Sequence, residues 1–391
     1  MNALDRRPQL VCFSHLRWDF VFQRPQHLLT RAARDHDVYF VEEPLVEADA
    51  APHLRASRRP EGVTVIVPVL PPAGEDAMAT MIADLLRPIL PPSSRQRILW
   101  YYTPMAMAFS RGIEADTVVY DNMDELSAFR GAPPRLLDLE AELFARADLV
   151  FTGGMSLYAA KRRRHRSVHP FPSSIDVAHF HEARRKPAEP ADQAVIGGPR
   201  AGFFGVIDER MDIDLVAQTA ALRPDWQFVM IGPVVKIDPA SLPAAPNIHW
   251  LGGKSYRDLP AYLGGWDVGL MPFALNEATR FISPTKTPEF LAAGLPVLST
   301  AIADVVSPYG EKGLVEIVSD PAGMAEGLDR LRTPPAGWLA AVDGHLAGMS
   351  WNQTWAGMQR LIDGSVQARR QRMGDLRRRA RPAPVGETLH V

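Results

Sequence analysis

Short apolar runs alternate with longer helix-period runs along this chain, and the alternation begins again after a break near the middle. Strands that alternate with helices of roughly 10–15 residues indicate parallel sheets with right-handed crossovers. The first half contains six such strand-like runs, at residues 10–14, 38–42, 63–67, 98–101, 118–120 and 149–152. Helical patterns lie between several of them, at residues 25–34, 76–86, 134–147 and 155–164.

The break lies at residues 181–200, where Pro187, Pro190, Gly197, Gly198 and Pro199 stand among few apolar residues. Such a composition predicts a linker. After it, strand-like runs recur at residues 202–204, 228–231, 248–250, 268–271 and 296–299, with helical patterns at 211–222, 257–263 and 288–293. Two doubly wound units in tandem leave a cleft between them. Ligands of such sheets bind at the carboxyl ends of the strands, so the cleft is the expected binding site.

We therefore predict an α/β fold with two Rossmann-like, doubly wound domains that face a cleft. The predicted parts are an N-terminal domain (1–182), a linker (183–200), a C-terminal domain (201–350), a helix that packs back on the globular part (351–367) and a disordered, arginine-rich tail (368–391). The helix carries Trp351, Trp355, Met358 and Leu361 on one stripe, which favours packing against a core.

Composition and charge exclude several classes of protein. With 43 Lys and Arg against 45 Asp and Glu, the net charge of −2 gives no general attraction to nucleic acid or anionic lipid. The one cysteine, Cys12, lies in an apolar run, where a thiol is a small core hydrophobe. We expect a cytoplasmic protein, because we find neither a signal-peptide core nor the roughly 18 consecutive apolar residues of a membrane span.

Two basic runs favour contact with a surface. Residues 161–166 hold five cations and a histidine, more than the C-terminus of a helix needs to complement its dipole. Residues 369–381 hold seven arginines. For residues 369–381 a solvated, disordered tail is favoured and contact with anionic lipid is the alternative. For residues 161–166 we infer a face toward anionic phospholipid or toward a polyprenyl-diphosphate acceptor.

The residues from Ser283 to Ser299 carry the clearest chemistry. Thr287 is expected to cap a helix whose first position is Pro288, and free backbone N–H groups at a helix start attract phosphate oxygens. Lys286 adds a positive charge beside them, and the carboxylate of Glu289 is suited to accept hydrogen bonds from two vicinal ribose hydroxyls. This combination predicts a site for a nucleoside diphosphate. A solvent-exposed pair at a helix start is the alternative interpretation.

The pattern from Lys286 through Glu289 to Gly294 and Pro296 resembles the donor-binding motif of GT-B glycosyltransferases, especially the bacterial clan that builds extracellular polysaccharides. Further segments are similar in order: those after residue 200 resemble the strands and loops of the GT-B donor domain, and those before it resemble a subgroup that includes teichuronic-acid-type transferases. These segments are residues 18–27, 120–125, 175–180, 202–208, 228–233, 247–252 and 267–273.

The resemblance implies roles for the donor site. Glu289 would hold the ribose and Lys286 the distal phosphate, while Gly205 lies in the first loop of the donor domain. The backbone of Ser283, Pro284 and Thr285 would cradle the diphosphate, and loops at Gly232 and Gly252 would border the base. Retaining members commonly carry a second glutamate where this chain has Phe281, and their usual Arg and Lys pair is reduced to Arg210. The stereochemical outcome therefore stays open.

The acceptor side is expected in the N-terminal half. Asp121 and Asp124 follow a buried strand and are candidates for the general base, with helix capping as the alternative. His15 and Asp19 are further catalytic candidates. Trp18 is a candidate for stacking on a sugar, or else for core packing. Arg24 is a candidate for charge binding, or else for a surface ion pair.

These observations predict an enzyme that needs neither a metal nor a cofactor beyond its co-substrate. It would transfer a hexosyl group from a UDP-, GDP- or dTDP-sugar to a glycan or a polyprenyl-linked acceptor, for cell-surface polysaccharide at the inner face of the membrane. A sugar-nucleotide epimerase of the same fold and an inactive nucleotide-sugar-binding scaffold are the alternatives. Nucleic acid is not expected as a partner, because the basic runs lack interleaved aromatic residues.

Overall fold

A computed structural model describes residues 7–92 and 95–379, without the side chains of residues 373–379. The predicted α/β class is confirmed, because the described chain forms two mainly parallel sheets with helices against them. The strands of the first sheet are β1 (Gln9–Phe13), β2 (Asp37–Val41), β3 (Leu45–Val46), β4 (His53–Arg58), β5 (Val63–Leu70), β6 (Arg97–Tyr101), β7 (Thr117–Asn122), β8 (Leu149–Thr152) and β9 (Val168–Pro170).

The first sheet has the order β3-β5-β2-β1-β6-β7-β8-β9, with β4 antiparallel to β5. The strands of the second sheet are β10 (Arg200–Phe204), β11 (Gln227–Ile231), β12 (Ile248–Gly252), β13 (Val268–Met271), β14 (Val297–Ser299) and β15 (Glu316–Ile317). Its order is β12-β11-β10-β13-β14-β15. In both sheets the chain order reverses beside the first strand, which is where doubly wound sheets open a binding crevice.

Helices cover both sheets and join them. They are α1 (Arg24–Ala32), α2 (Glu75–Leu86), α3 (Met107–Ser110), α4 (Leu136–Arg146), α5 (Met155–Lys161), α6 (Val177–His181), α7 (Ala191–Ala194), α8 (Ile213–Leu222), α9 (Leu259–Leu263), α10 (Lys286–Ala292), α11 (Ala303–Val305), α12 (Pro321–Leu331), α13 (Trp338–Leu346) and α14 (Trp351–Arg379).

The apolar runs that predict strands are strands in the structure, because their side chains are buried under helices on both faces. The short strands β3, β9 and β15 and the exposed strand β4 are not predicted. The sequence of β4, His-Leu-Arg-Ala-Ser-Arg, is polar, and its pairing with β5 rests on backbone hydrogen bonds rather than on burial.

The predicted linker is ordered and packed on the C-terminal domain. Gln193 is buried, its amide donates to the Tyr262 carbonyl (2.9 Å), and it accepts from the Trp266 indole (2.8 Å). Arg200 at the end of the segment pairs with Glu189 (2.8 Å). Prolines and glycines in the sequence indicate the boundary between the domains. They do not indicate that the segment is packed, because these buried polar contacts join residues that are distant in sequence.

Helix α14 returns from the C-terminal domain to complete the N-terminal core. Its buried side chains pack with those of α1 and the first sheet; they are Trp351, Trp355, Met358, Ile362 and Val366. The prediction of a disordered tail from residue 368 is wrong as far as Arg379, because α14 continues to that residue. Successive arginines favour a helix as well as a disordered segment. Residues 380–391 lie outside the described residues.

Removing residues 368–391 should leave folding and ligand binding unchanged, because the described side chains of α14 that enter the core all precede residue 368. The ion pair of Arg369 with Asp148 (3.9 Å) is half-exposed, and such pairs contribute at most about 1 kcal/mol. Thermal unfolding of the truncated chain tests this expectation. Trp355→Ala in the full chain is the positive control, since loss of a buried tryptophan costs about 3–5 kcal/mol. A truncated chain as unstable as this variant would contradict the account.

Candidate functional site

A cleft of about 700 Å³ lies between the two sheets and is lined by both domains. The N-terminal domain contributes residues 18–24, in the loop between β1 and α1, together with Met123 and Asp124 after β7. The C-terminal domain contributes the ends of β10 and β11, the residues that follow β12 and the start of α10. The predicted cleft at the carboxyl ends of the strands is therefore present in the structure.

Two glycines let three parts of the donor side approach closely. Gly205 (φ +138°) and Gly232 (φ +151°) follow β10 and β11 in conformations that favour glycine. A Cβ on Gly232 would lie 1.7 Å from the Gly205 carbonyl oxygen, and one on Gly205 would lie 2.1 Å from Lys286 Cε. Gly252 does not line the cleft, although the next residue, Gly253, does. The loops after β10 and β11 thus hold the Lys286 side chain against backbone.

Helix α10 begins at Lys286 and follows the residues 282–285, which line the cleft. The expected cap is wrong: Thr285 precedes the helix, Pro288 is its third residue, and Thr287 is buried with its hydroxyl donating to Met271 Sδ (3.4 Å). Thr287 faces the core because the residues after it, Phe290 and Leu291, are buried on the same short helix. Ser283, Pro284 and Thr285 lie at the cleft as predicted.

Lys286, which is half-buried, and Glu289, which is buried, carry opposite charges on the first turn of α10. Burial raises the pKa of Glu289, and Lys286 opposes that rise. Burial likewise lowers the pKa of Lys286, and the charge of Glu289 opposes the fall. Both side chains line the cleft, and a solvent-exposed pair is excluded. A ligand with an anionic part for Lys286 and hydroxyl groups for Glu289 would compensate both costs of burial.

A second cation on the donor side is fixed by its own loop. Arg210 lines the cleft, and its guanidinium pairs with Asp208 (Nη2–Oδ2 2.7 Å, Nε–Oδ1 3.0 Å). The guanidinium also lies 5.6 Å from the ring of Phe129, which comes from the N-terminal domain. Arg210, from the loop after β10, and Lys286, from the start of α10, are therefore both available as cations at the cleft.

Asp121 and Arg24 do not have the roles predicted for them. Asp121 is fully buried near the end of β7, and both its oxygens accept hydrogen bonds from Arg24 (3.0 and 2.8 Å). The remaining arm of Arg24 donates to the Phe171 carbonyl (2.7 Å). Asp121 is thus engaged in a buried ion pair and cannot take a proton from an acceptor. Arg24 touches the cleft, but its donors are already used within the N-terminal domain.

Asp124 remains as the candidate base. It lines the cleft, and its carboxylate makes no hydrogen bond or ion pair with the residues that the structure describes. Burial raises the pKa of Asp124, and the charges of Arg210 and Arg24 oppose the rise. The amide of Asn122 donates to the Asp124 carbonyl (2.9 Å) and to the Tyr120 hydroxyl (2.8 Å), which fixes the backbone of the loop.

The other acceptor-side candidates are less suited to chemistry. Asp19 lines the cleft but is 66% exposed and pairs with Arg59. His15 does not line it, and burial lowers its pKa to about 4. Trp18 is 6% exposed and packs edge-to-face on Phe40 (5.1 Å), as the core-packing interpretation requires.

The aromatic residues Phe20, Phe22 and Tyr256 line the cleft and are not among the predicted site residues. Phe20 and Phe22 are 51% and 38% exposed on the loop that follows β1. Tyr256 lines the cleft from the loop after β12. In the sequence, aromatic residues stand at every second position at Trp18, Phe20 and Phe22. This alternation is a signal from which Phe20 and Phe22 could be found. Tyr256 stands in a sequence without any comparable pattern.

Phe281, which takes the place of the second glutamate, does not line the cleft; Arg280 lies over its ring (5.1 Å). In the described part of the chain, no group of three or more His, Cys, Asp or Glu side chains is placed to hold a metal ion. Among the same residues, we find no helix with the length and apolar character needed to cross a membrane.

Comparison with protein families matches residues 198–333 to the family "Glycosyl transferases group 1". A protein of Bacillus subtilis (strain 168), assigned to teichuronic acid biosynthesis as the glycosyltransferase TuaH, is 26% identical over 240 residues. The match covers 56% of this chain and 59% of the relative, so it spans well under two thirds of that protein.

Solved structures share the fold over nearly the whole chain. Sucrose-phosphate synthase from Thermosynechococcus elongatus superposes with a TM-score of 0.68 at 14% identity, covering 93% of this chain and 100% of the other. "Trehalose-6-phosphate from E. coli bound with UDP-2-fluoro glucose" superposes with a TM-score of 0.67 at 13% identity, covering 92% of this chain and 99% of the other. Anabaena Alr3699/HepE, in complex with UDP and glucose, has a TM-score of 0.64 at 11% identity, covering 91% of this chain and 99% of the other. At such identities the likeness establishes the two-domain fold.

Proposed function

Since this chain belongs to the GT-B glycosyltransferases, with a group 1 glycosyl transferase domain at residues 198–333, we propose that it transfers a sugar from a nucleoside-diphosphate sugar to an acceptor hydroxyl. The observation that carries the proposal is the arrangement of the cleft. The oppositely charged Lys286 and Glu289 lie on its C-terminal side, and the unpaired carboxylate of Asp124 lies on its N-terminal side.

The donor would bind with its diphosphate against Lys286 and Arg210 and with its ribose at Glu289. Hydrogen bonds between ionised groups and phosphate or hydroxyl partners are stronger than neutral ones. Their strength increases further in a buried site, where the effective dielectric constant is low. Neutralisation of the leaving diphosphate by two fixed cations would stabilise the charge that develops in the transition state.

The chemical step would be a substitution at the anomeric carbon of the donor sugar. The acceptor oxygen forms a bond to that carbon, the bond from the carbon to the phosphate oxygen breaks, and the nucleoside diphosphate leaves. In an inverting transfer, the acceptor proton passes to Asp124. The raised pKa of this carboxyl favours that role, because a base works best when its pKa is near the operating pH. In a retaining transfer, the departing phosphate would accept the proton instead.

The acceptor would be a glycan or a polyprenyl-linked sugar of a cell-surface polysaccharide, with the enzyme at the cytoplasmic face of the membrane. The similarity to the teichuronic acid protein supports the polysaccharide class. The exposed arginines at the end of α5 (Arg162, Arg163 and Arg166) support contact with anionic lipid. These arginines follow α5 and lie near the amino end of β8, away from the cleft. His165, between them in sequence, shows this position, because its Nε2 lies 3.0 Å from the carbonyl oxygen of Ala147, just before β8.

An inactive nucleotide-sugar-binding scaffold is the second candidate, because Phe281 stands where retaining relatives carry a glutamate. The exposed rings of Phe20 and Phe22 at the cleft favour an enzyme with an acceptor over this scaffold and over an epimerase. Neither alternative needs an apolar surface for a second substrate.

Turnover with a panel of donors tests the proposal directly. The purified chain is incubated with UDP-, GDP- and dTDP-hexoses, with and without oligosaccharide or polyprenyl-diphosphate-linked acceptors, and release of the nucleoside diphosphate is measured. Acceptor-dependent release together with a glycosylated product is the expected result. Conversion of the donor sugar without any acceptor would indicate an epimerase, whereas binding without turnover for every pair would indicate a scaffold.

A further inference from the structure

Tyr256 of the C-terminal domain packs against aromatic residues from two segments of the N-terminal part of the chain. Its ring stacks on His179 of α6 (4.4 Å, 15°) and contacts Phe22 of the N-terminal domain (4.8 Å). Phe180 lies edge-on to it (5.7 Å), and His179 Nε2 is 2.9 Å from the Tyr256 backbone carbonyl oxygen. A ring fixed on three sides in this way gives its hydroxyl one defined position.

That hydroxyl is buried, yet it has no hydrogen-bond partner among the described residues. Buried polar groups in folded proteins are almost always paired, and an unpaired one is costly. Tyr256 and Glu289 both line the cleft. Burial raises the pKa of the Tyr256 phenol, the charges of Glu289 and Asp176 raise it further, and the charge of Arg31 opposes them. The phenol is therefore neutral at physiological pH and can both donate and accept a hydrogen bond.

We propose that the Tyr256 hydroxyl binds a ribose hydroxyl of the donor beside Glu289, so that the pocket selects ribonucleotides over 2′-deoxyribonucleotides. This inference rests on the proposed function. The Glu289 carboxylate can only accept hydrogen bonds, whereas two vicinal hydroxyls offer two donors and further acceptor positions. A second protein group that both donates and accepts completes the recognition of such a diol.

A donor without the 2′-hydroxyl would leave part of this pair unsatisfied. Sites built to hydrogen-bond a hydroxyl discriminate strongly against analogues that lack it, because their buried polar groups are then left unpaired. Among the expected donors, UDP- and GDP-sugars retain the diol and dTDP-sugars lack it. The inference therefore narrows the donor class to ribonucleoside-diphosphate sugars.

Calorimetric titration with UDP, GDP and ADP and with their 2′-deoxy counterparts tests the inference. We expect the wild-type protein to bind its preferred ribonucleotide at least about tenfold more tightly than the deoxy form, since every 1.4 kcal/mol is tenfold. In Tyr256→Phe, affinity for the ribonucleotide should fall by about threefold to tenfold, as for loss of one neutral hydrogen bond. Affinity for the deoxynucleotide should change much less, so that the variant prefers the ribonucleotide over the deoxynucleotide less strongly than the wild type does.

Tyr262→Phe is the matched control. It also removes one phenolic hydroxyl, but this one donates to Asp192 (2.8 Å) and does not line the cleft. Equal effects of both substitutions on ribo- and deoxynucleotides would assign Tyr256 a purely structural role and overturn the inference. Unchanged ribonucleotide affinity in Tyr256→Phe, with binding weakened in Glu289→Gln, would also overturn it and leave the proposed function standing. A wild-type protein that binds none of the probes would contradict both.

Discussion

Replacing Asp124 with asparagine should lower turnover by about 10²–10⁴-fold, the usual contribution of a general base, and leave donor affinity nearly unchanged. The asparagine side chain would keep the shape of the aspartate but could not take the acceptor proton. Of the predicted acceptor-side carboxylates, Asp124 alone lines the cleft without a hydrogen bond or ion pair to the described residues. Steady-state rates and calorimetric affinities, measured on the same preparations, separate the two effects.

Asp19→Asn is the comparison, because Asp19 also lines the cleft but is exposed and paired with Arg59. Its turnover should stay close to that of the wild type. The anomeric configuration of the product, read by NMR, completes the experiment, because a retaining enzyme can pass the proton to the leaving phosphate. An inverted product from a fully active Asp124→Asn would rule out Asp124 as the base, and loss of activity in Asp19→Asn would transfer the role to Asp19.

Asp121→Asn should mainly affect stability, although the same sequence motif suggests a catalytic role. Removal of one partner from a buried ion pair typically costs about 3–5 kcal/mol, because the other charge is left buried and uncompensated. Here the Arg24 guanidinium would lose a partner that accepts two of its hydrogen bonds. The change would appear as a lower midpoint in urea unfolding followed by tryptophan fluorescence.

Asp19→Asn again serves as the control, since exposed ion pairs contribute only about 0–1 kcal/mol. The double variant Arg24→Met with Asp121→Leu should recover part of the lost stability, because replacing both charges removes the buried, unpaired one. A stable Asp121→Asn protein with collapsed turnover would instead return Asp121 to the role of base.

The period of the hydrophobic pattern was sufficient to predict the parallel sheets and the position of the cleft. It works because the buried strands, such as β1 and β10, are apolar on both faces. The same reasoning could predict that Lys286 and Glu289 lie at the cleft, since they follow a strand and open a helix in the doubly wound pattern.

Contacts between residues far apart in sequence could not be predicted. Asp121 and Asp124 look equivalent in the sequence, and only the fold shows that Asp121 meets Arg24 across 97 positions. Whether Trp18 stacks on a sugar or packs in the core likewise depends on the fold, because Phe40 receives the indole while the Phe20 ring stays exposed. The Tyr256 hydroxyl gains its significance from His179 and Phe22, which come from two other segments.

The central claim is that the cleft holds a nucleoside diphosphate at Lys286 and Glu289, and calorimetric titration of Glu289→Gln with the best-bound nucleoside diphosphate tests it most directly. Loss of a charge-assisted contact to the ribose should weaken binding by about 1.5–3 kcal/mol. Thermal unfolding of the variant, measured beside the titration, establishes that the protein used is folded. Glu277→Gln, on an exposed position of the preceding loop, should bind as the wild type does. Equal affinity of Glu289→Gln and the wild type would contradict the claim.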